Sequence, residues 1–455
     1  MQSLTSIRLL IGAAVGLCAL AIAGVAATPT VVEPAQPRIP ARTFNVRDYG
    51  ATGDGRTADG PALKTALAAA QRAGGGTLVV PAGDYLTGPL DLFSQLNLRL
   101  EKGARLRFSD RRADYPVVDG KIHPLLWARD CEDVMISGAG IIDGQGQAWW
   151  NEFRRGLQAG RGNDDHPPVA RARPLLLVMD DCRRVCVEGV TLMNSPMYQC
   201  VPRKCTDVTI SGITIEAPNT KENHAFNTDG IDPFSSQRVL ISHCVIDTGD
   251  DCIALKSTTG FPVADVLITD CTFRNGHGCS IGSGTSGDVR NVTVQRCTFE
   301  GTNVGIQLKS HRDRGGRVEN LIYTDITMKN VPIPILLSMY YPGRITPKPG
   351  DTFASAPVTP LTPTYRDIVI RNVTSVGSPE AGRILGLPEM PVTDVLLENV
   401  RIEAERGMRL SHVQGVRFKD VHITTAAGAP LLVDHGVRGL DAPGLEQTPL
   451  APVGH

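Results

Sequence analysis

Two adjacent carboxylates stand directly before an apolar run in the segment DTGDDCIALKS, residues 247–257. The run 252–255 has the composition of a buried strand, so Asp250 and Asp251 come at the mouth of that strand. Neighbouring acids in such a place repel each other and lose hydration, which costs free energy unless the pair has a use. Proton transfer is a use that suits two carboxyl groups held side by side.

The elements that must position this pair are short strands in a repeat. From residue 131 onward a pattern of alternating apolar and polar residues recurs, as in CTDVTISGITI at 205 and ENLIYTDITM at 319. Strands at this period, separated by Gly, Asn and Asp turns, predict an all-β, right-handed parallel β-helix in which each coil stacks on the previous one. The first apolar position of each unit is an anchor for aligning the coils: Val134, Val185, Val208, Val239, Val266, Val292, Leu321, Ile368, Val395 and Val416. The two long gaps, Val134 to Val185 and Leu321 to Ile368, fit either one coil with a surface loop or two coils of which one is degenerate.

Aligning the coils brings several polar residues to one patch of one face. Asp229 and Asp251 each stand two residues before an isoleucine, and His277 stands as far after its anchor as Asp250 does. Lys309 lies one coil further along. Carboxylates this close cannot all ionise cheaply, so one should hold a proton, and an acid beside ionised carboxylates is the equipment for splitting a glycosidic bond. The alternatives are a calcium site and a ladder of polar turn residues, but a turn ladder explains one acid per coil rather than an adjacent pair.

With these residues aligned, the chain resembles glycoside hydrolase family 28, the polygalacturonases, and in particular its bacterial members. The likeness runs from about residue 44 to beyond residue 420. Four motifs carry it in the family's order and on matching coils: NTDGID at 227–232, GDD at 249–251, GHG at 276–278 and QLK at 307–309. The resemblance implies a pectate-lyase-like solenoid, an inverting single displacement, no metal or other cofactor, and a pectic polysaccharide or oligogalacturonide as substrate.

The resemblance also implies catalytic roles, position by position. Asp250 would be the general acid that protonates the glycosidic oxygen. Asp229 and Asp251 would together activate the attacking water. His277 would hold the acid in the right protonation state.

The resemblance further implies residues that bind the substrate. Asn227 would shape the site, Lys309 would bind a sugar carboxylate, and Tyr340 would line the product side. Gln307 departs from the family, which normally has arginine there, and a neutral amide cannot grip a carboxylate as a guanidinium does. Plain galacturonan, rhamnogalacturonan, xylogalacturonan and other decorated pectic chains therefore all stay open as substrates.

The N-terminal residues resemble a secretory signal peptide, with one arginine, an apolar run and small residues near Ala27. The alternative is a retained membrane anchor, but the run barely reaches spanning length, so we expect a secreted or periplasmic protein without membrane contact. A helix that starts at Asp59 is expected to cap the open end of the β-helix. The expected organisation is a signal peptide (1–27), a linker (28–43), a β-helix catalytic domain (44–435, with its N-terminal cap to about residue 100) and a C-terminal tail (436–455).

The net charge and the loops exclude few functions. The 46 basic and 47 acidic residues nearly cancel, so nothing indicates a nucleic-acid partner. A polysaccharide lyase, and a carbohydrate-binding β-helix without catalysis, are the alternative functions. Endo or exo action depends on whether the loops at 151–172 and 342–364 close one end of the cleft. The oligomeric state is open, with a monomer as the simplest expectation.

The ten cysteines after residue 27 are expected to be mainly buried thiols. Cys244, Cys271 and Cys297 each stand five residues after an anchor, where other coils carry valine or isoleucine, which predicts a ladder of small apolar side chains. Cys252 and Cys279 share another offset and could face each other. Two further pairs are left open as disulfide candidates, Cys200 with Cys205 and Cys182 with Cys186.

Overall fold

The alternation of apolar and polar residues folds into a right-handed parallel β-helix with three faces, in a computed structural model that describes residues 32–160, 172–341 and 347–451. Face 1 contains the anchor strands: Thr43–Asn45, Gly76–Val80, Leu96–Leu100, Glu132–Gly138, Arg183–Glu188, Thr206–Ser211, Gln237–Ser242, Val263–Thr269 and Val289–Gln295. Face 2 contains Asp54–Ala58, Gly83–Thr87, Ala104–Phe108, Ile141–Asp143, Thr191–Met193, Thr214–Glu216, Val245–Thr248, Thr272–Asn275 and Thr298–Glu300. Face 3 contains Leu90–Leu92, Leu126–Arg129, Leu177–Asp180, Cys200–Arg203, Ile253–Ser257, Cys279–Thr285, Val304–Lys309, Ile333–Ser338, Leu431–Val433 and Gln447–Pro449. The later strands run from face 1 onto face 2 or face 3: Arg317–Lys329, Thr364–Leu385, Val392–Ser411 and Val413–Thr425.

The coil alignment predicted from the anchors is confirmed strand by strand. Every anchor from Val134 to Val416 pairs in parallel with the next one in the series. Val134 pairs directly with Val185, and Leu321 pairs directly with Ile368, so each long gap is one coil with an insertion. The anchors point into a continuous apolar core that runs along the axis.

Two corners of each coil explain the Gly, Asn and Asp residues that flank the anchors. Around Val208, for example, Asp207 has a φ of 61° and Gly212 a φ of 62°, and equivalent residues of the other nine coils are also left-handed. Glycine, asparagine and aspartate adopt this conformation most easily. The corner amides also bond from coil to coil, as where Asn320 Nδ2 donates to Asn291 Oδ1 over 2.7 Å. The turn residues therefore fix the length of the face 1 strand in each coil, which keeps the anchors in register.

Both ends of the solenoid are covered. The helix Gly60–Arg72 lies over the first coils with Leu63 and Leu67 buried, as predicted, although the Asp59 carboxylate bonds to the preceding loop rather than to the helix. Residues 436–451, which the sequence suggests as part of a loose tail, instead pack on the last coil, where Gln447–Pro449 pairs with Leu431–Val433. Among the described residues, no helix has the length and apolar character needed to cross a bilayer. The predicted signal peptide lies outside the described residues.

An unpredicted helix, Gln147–Gln158, fills the first long insertion, beside two short 3₁₀ turns (Val46–Tyr49 and Arg112–Asp114) and a two-stranded hairpin (Val117–Val118 with Lys121–Ile122) elsewhere in the chain. Trp149 and Trp150 lie on this helix and are almost fully buried. Trp150 Nε1 donates to the Ser195 carbonyl over 3.0 Å, and Trp149 packs edge-on against Tyr115. These indoles hold the helix to the solenoid and offer no face to a sugar.

The cysteines form buried ladders of free thiols rather than disulfides. All ten cysteines in the described residues are buried and unpaired, which includes the pairs that the sequence left open. Cys279 pairs with Ile253, so Cys252 and Cys279 are one residue out of register. The hydrogen bond that the Cys244 thiol donates to Cys271, together with burial, raises the pKa of Cys244 well above its ordinary value.

We therefore expect a thiol reagent to react with none of these cysteines while the protein is folded, and with all ten after denaturation. The reason is that thiolates react, and here burial disfavours both the thiolate and access to it. The measurement is colorimetric titration of a chain that begins at residue 28. Fewer than ten reactive thiols in denaturant would mean that disulfides are present.

Candidate active site

Face 3 brings together the acids that the sequence singled out. Ile231 bridges Ile253, and Ile253 pairs with Cys279 on the following coil. Asp229 and Asp251 each stand two residues before these isoleucines, so the two acids lie in register on neighbouring coils. Both side chains are almost completely buried.

Glycines let these coils approach closely enough to hold the site. A Cβ on Gly249 would lie 2.1 Å from a carbonyl oxygen of a neighbouring segment, and one on Gly278 would lie 2.0 Å from another. Only glycine fits at such distances, which explains its place in the GDD and GHG motifs. A Cβ on Gly276 would lie 2.5 Å from the Asp250 carbonyl oxygen, and the adjacent His277 N–H donates to that same oxygen over 2.9 Å.

His277 and the acid pair form one cluster. Nδ1 of His277 lies 3.1 Å from Oδ1 of Asp250 and 3.7 Å from Oδ1 of Asp251. The anchor alignment puts His277 level with Asp250, but the strands place it level with Asp251. The reason is that the segment from the anchor to the face 3 strand is one residue shorter in the coil of Cys279 than in the coil of Ile253. The imidazole still bonds to Asp250, so the cluster forms despite this difference of one residue.

Lys309 and Ser280 hold Asp251. The Lys309 ammonium donates to both carboxylate oxygens of Asp251, over 2.9 and 2.7 Å, and both side chains are at most 7% exposed. The Ser280 hydroxyl lies 2.9 Å from Asp251 Oδ1 and 2.7 Å from Gln307 Oε1. Lys309 is thus already paired, and a sugar carboxylate would have to share it with Asp251.

A second lysine holds Asp229. Nζ of Lys256 donates to Asp229 Oδ2 over 2.8 Å and to Asp232 Oδ2 over 2.7 Å. Its side chain is 14% exposed, and those of the two acids are at most 4% exposed. The Tyr198 ring lies 4.3 Å from the same Nζ. The site therefore contains two buried lysine–carboxylate groups and one imidazole–carboxylate pair.

The sequence predicts that one acid of the cluster has a raised pKa, and that acid is Asp229, to which the resemblance gives a base role, rather than Asp250. Burial opposes charge on Asp250 and His277, but their mutual hydrogen bond and opposite charges outweigh it, so the pKa of His277 is raised and that of Asp250 is lowered. Burial raises the pKa of Asp229 well above its ordinary value and that of Asp232 to about 6. In the resting protein the proton of the Asp250–His277 pair is therefore on the imidazole.

Asn227 lies beside Asp250, and His224 stands three residues before Asn227 in the chain. Asn227 Nδ2 is 3.5 Å from Asp250 Oδ2, and Arg173 Nη2 donates to Asn227 Oδ1 over 2.6 Å. His224 Nδ1 lies 2.7 Å from Asn219 Oδ1, and burial lowers the pKa of His224 although the charge of Asp250 opposes that change. The sequence left open whether His224 is a loop residue or reaches the cleft, and the structure shows its ring packed edge-on against Phe226, which directly precedes Asn227.

The aromatic residue next to Lys309 is Tyr341, the neighbour of Tyr340 in the chain. Tyr340 stands two residues after Ser338, which pairs with Lys309, and the Tyr340 ring packs against Phe353 at 5.5 Å. The ring of Tyr341 lies 5.1 Å from the Lys309 ammonium. Tyr341 therefore borders the cluster, whereas the ring of the adjacent Tyr340 contacts Phe353.

The fold and this cluster agree with a family comparison. Residues 71–425 match the model of glycosyl hydrolases family 28. The chain belongs to this family. It is a glycosidase. Residues 43–98 also match a model described as rhamnogalacturonase A/epimerase, pectate lyase-like.

Relatives of this family 28 glycosidase span most of its length. It is 30% identical to a probable polygalacturonase of Vitis vinifera over 388 residues, 80% of this chain and 74% of the relative. It is 32% identical to an exopolygalacturonase of Platanus acerifolia over 306 residues, 66% of this chain and 75% of the relative. The crystal structure of a hyperthermoactive exopolygalacturonase from Thermotoga maritima is similar with 30% identity and a TM-score of 0.72, covering 86% of this chain and 94% of that one.

Sequence reasoning missed four residues of the family 28 site: Lys256, Asp232, Ser280 and Tyr341. The signal for Lys256 was present in DTGDDCIALKS itself. Ile253 and Leu255 point into the core, so strand alternation points Lys256 outward with the acids. Nothing in the local pattern signals that it meets Asp229 and Asp232 on the preceding coil.

Proposed function

We propose that this family 28 enzyme hydrolyses the glycosidic bonds of a pectic, galacturonic-acid-containing polysaccharide by a single inverting displacement, without a metal. The observation that carries the proposal is the division of labour in the cluster, where two carboxylates have lysine partners and the third has an imidazole partner. The charge of a neighbouring lysine opposes the effect of burial and favours the ionised form of a carboxylate, which suits a base. A carboxylate beside an imidazole shares a proton and suits an acid.

In the proposed mechanism Asp250 protonates the glycosidic oxygen as the bond to the anomeric carbon breaks. His277 supplies that proton through the hydrogen bond from Nδ1 to Asp250 Oδ1, which reconciles the acid role with the lowered pKa of Asp250. Asp229 and Asp251 together take a proton from water, whose oxygen attaches to the anomeric carbon from the opposite side. Asn227 orients Asp250 through its amide.

Gln307 affects which pectic polymer the enzyme hydrolyses. The substrate class is supported by the names of the relatives, among them polygalacturonases and exopolygalacturonases. Gln307 contributes a neutral amide where the family pattern has arginine, and Lys309 is engaged with Asp251. We propose a pectic substrate on this basis. The residue pattern at 1–27 supports export of the protein.

The test is to offer galacturonan, rhamnogalacturonan and xylogalacturonan to the purified chain and to follow new reducing ends and unsaturated-sugar absorbance separately. New reducing ends without unsaturation are expected, and product lengths distinguish endo from exo action. Proton NMR of the first product should show the inverted anomer. Unsaturated products would instead indicate a lyase, and retention of configuration would refute the single displacement.

We expect chelation to leave the rate unchanged. Ligand atoms of Asp250, Asp251 and His277 lie within 4.8 Å of one another, a spacing that could hold a cation. The Lys309 ammonium, however, already contacts both oxygens of Asp251, so a divalent ion would meet a fixed positive charge. The measurement is the rate of hydrolysis after treatment with EDTA and after addition of calcium. A loss that calcium restores would contradict metal independence.

A further inference from the structure

Lys256 lies at the centre of a buried group of charges, and the proposed mechanism assigns no role to this lysine. Its ammonium bonds to Asp229, to which the mechanism assigns a base role, and to Asp232, to which it assigns none. One cation thus serves two buried carboxylates. The second oxygen of Asp232, Oδ1, is buried and has no hydrogen-bond partner among the residues that the structure describes.

The other cations of the site are committed elsewhere. Lys309 donates to both oxygens of Asp251, and Nδ1 of His277 lies closest to Asp250. Lys256 is therefore the cation in direct contact with Asp229 in the described part of the chain.

The strand register makes this arrangement a property of the fold. Lys256 pairs with Phe234 on the coil that carries Asp229, and Lys309 pairs with Gly282 in the same outward column further along the axis. Both lysines thus project from face 3 at equivalent positions, each towards a different acid. The strand pairing fixes the backbone of Lys256, and hydrogen bonds to two carboxylates hold its ammonium in place.

We propose that Lys256 is a positioning residue for hydrolysis: its ammonium orients the Asp229 carboxylate and favours its ionised form, and Asp232 competes for the same charge. This inference rests on the proposed function, in which Asp229 helps to activate water. It adds a counter-ion that controls the pH range in which that base works.

The charges that face Asp229 determine the direction of the effect. Burial raises the pKa of Asp229, the charge of Lys256 lowers it, and the charges of Asp232, Asp250 and Asp251 raise it. Removing the lysine leaves burial and three acids, so Asp229 should take up a proton at a higher pH. Removing the charge of Asp232 takes away one of the raising influences, so Asp229 should keep its charge to a lower pH.

The charges that face Lys256 show that it can fill this role. Burial lowers its pKa, but Asp229 and Asp232 outweigh burial with smaller help from Tyr198 and Asp251, so the pKa of Lys256 is raised well above its ordinary value. The ammonium is therefore charged throughout the range in which the carboxylates titrate.

The experiment compares kcat/KM across the acidic range for wild type, Lys256→Met, Lys256→Arg and Asp232→Asn on the polymer that wild type hydrolyses. The acidic limb of Lys256→Met should move to higher pH by about 1–3 pH units, the effect of one opposite charge within hydrogen-bond distance. Lys256→Arg should keep the wild-type limb, and Asp232→Asn should move it to lower pH. Lys204→Met, which removes an exposed lysine near Phe261, is the matched control and should change nothing.

Opposite movements in Lys256→Met and Asp232→Asn are a signature that a purely structural role would not produce. An equal loss of activity at every pH in Lys256→Met, with the limb unmoved, would overturn the inference while the hydrolase proposal stands.

A measurement without turnover separates the two proposals further. Infrared titration of the carboxyl C=O band should show one carboxyl protonating at higher pH in Lys256→Met than in wild type, and Asp229→Asn should abolish that difference. If wild type hydrolyses no polymer but this titration behaves as expected, the proposed function fails and the electrostatic pairing remains. If the band does not respond to Lys256→Met, the pairing itself is refuted.

Discussion

Replacing Asp250 by asparagine is expected to lower kcat on the polymer by about 10²–10⁴-fold, the usual contribution of a positioned general acid. Asparagine has the same shape but holds no transferable proton. The Asp250–His277 hydrogen bond is then no longer a route for the proton, since the amide cannot pass it on. The measurement is reducing-end release at saturating substrate.

The matched control for this variant is Asp247→Asn, a carboxylate of the same coil that lies on face 2 and bonds to Asn275. It should keep wild-type activity. A substrate with an aryl leaving group needs little protonation, so Asp250→Asn should lose much less activity on it than on the polymer. Equal losses on both substrates would mean that Asp250 does not act as the acid.

Replacing Lys309 by methionine is expected to lower kcat by about 100-fold or more, the scale of losing a fixed charge beside a reacting group. Methionine keeps the length of the side chain without its charge. Asp251 would then lie buried with the Ser280 hydroxyl as its remaining side-chain donor in the described residues, and a buried carboxylate that loses its paired cation is strongly destabilised.

The split between kcat and KM decides what Lys309 does. A fall in kcat with a displaced acidic limb identifies Lys309 as the counter-ion of the base Asp251. A rise in KM with kcat unchanged would show instead that it binds a sugar carboxylate, the role implied by the family resemblance. The control is Lys329→Met, which removes an exposed lysine from the end of the strand Arg317–Lys329.

The sequence by itself determined the solenoid and the neighbourhood of the acids. Alternating apolar residues at a regular spacing can bury their inner side chains only by stacking, so the anchors from Val134 to Val416 predicted the coil alignment that the strand pairs confirm. Only the structure showed that each of the two long gaps is a single coil. The shared Asp-x-Ile step predicted that Asp229 and Asp251 stack. Each acid stands two residues before an isoleucine, and residues at the same distance from paired strand positions lie side by side on neighbouring coils.

What the sequence could not decide depends on exact coil length and on which charges meet. The turn before Cys279 is one residue shorter than the turn before Ile253, and this difference brings His277 level with Asp251. The alternation of apolar and polar residues does not show where such a difference falls.

The pairing of Lys256 with Asp229 and of Lys309 with Asp251 depends on side-chain reach between coils, which strand periodicity does not encode. These contacts decide which carboxylate stays ionised, because at such short range a neighbouring charge and burial shift a pKa more than residue type does. The sequence therefore placed the acids, and only the tertiary structure assigned each one its counter-ion.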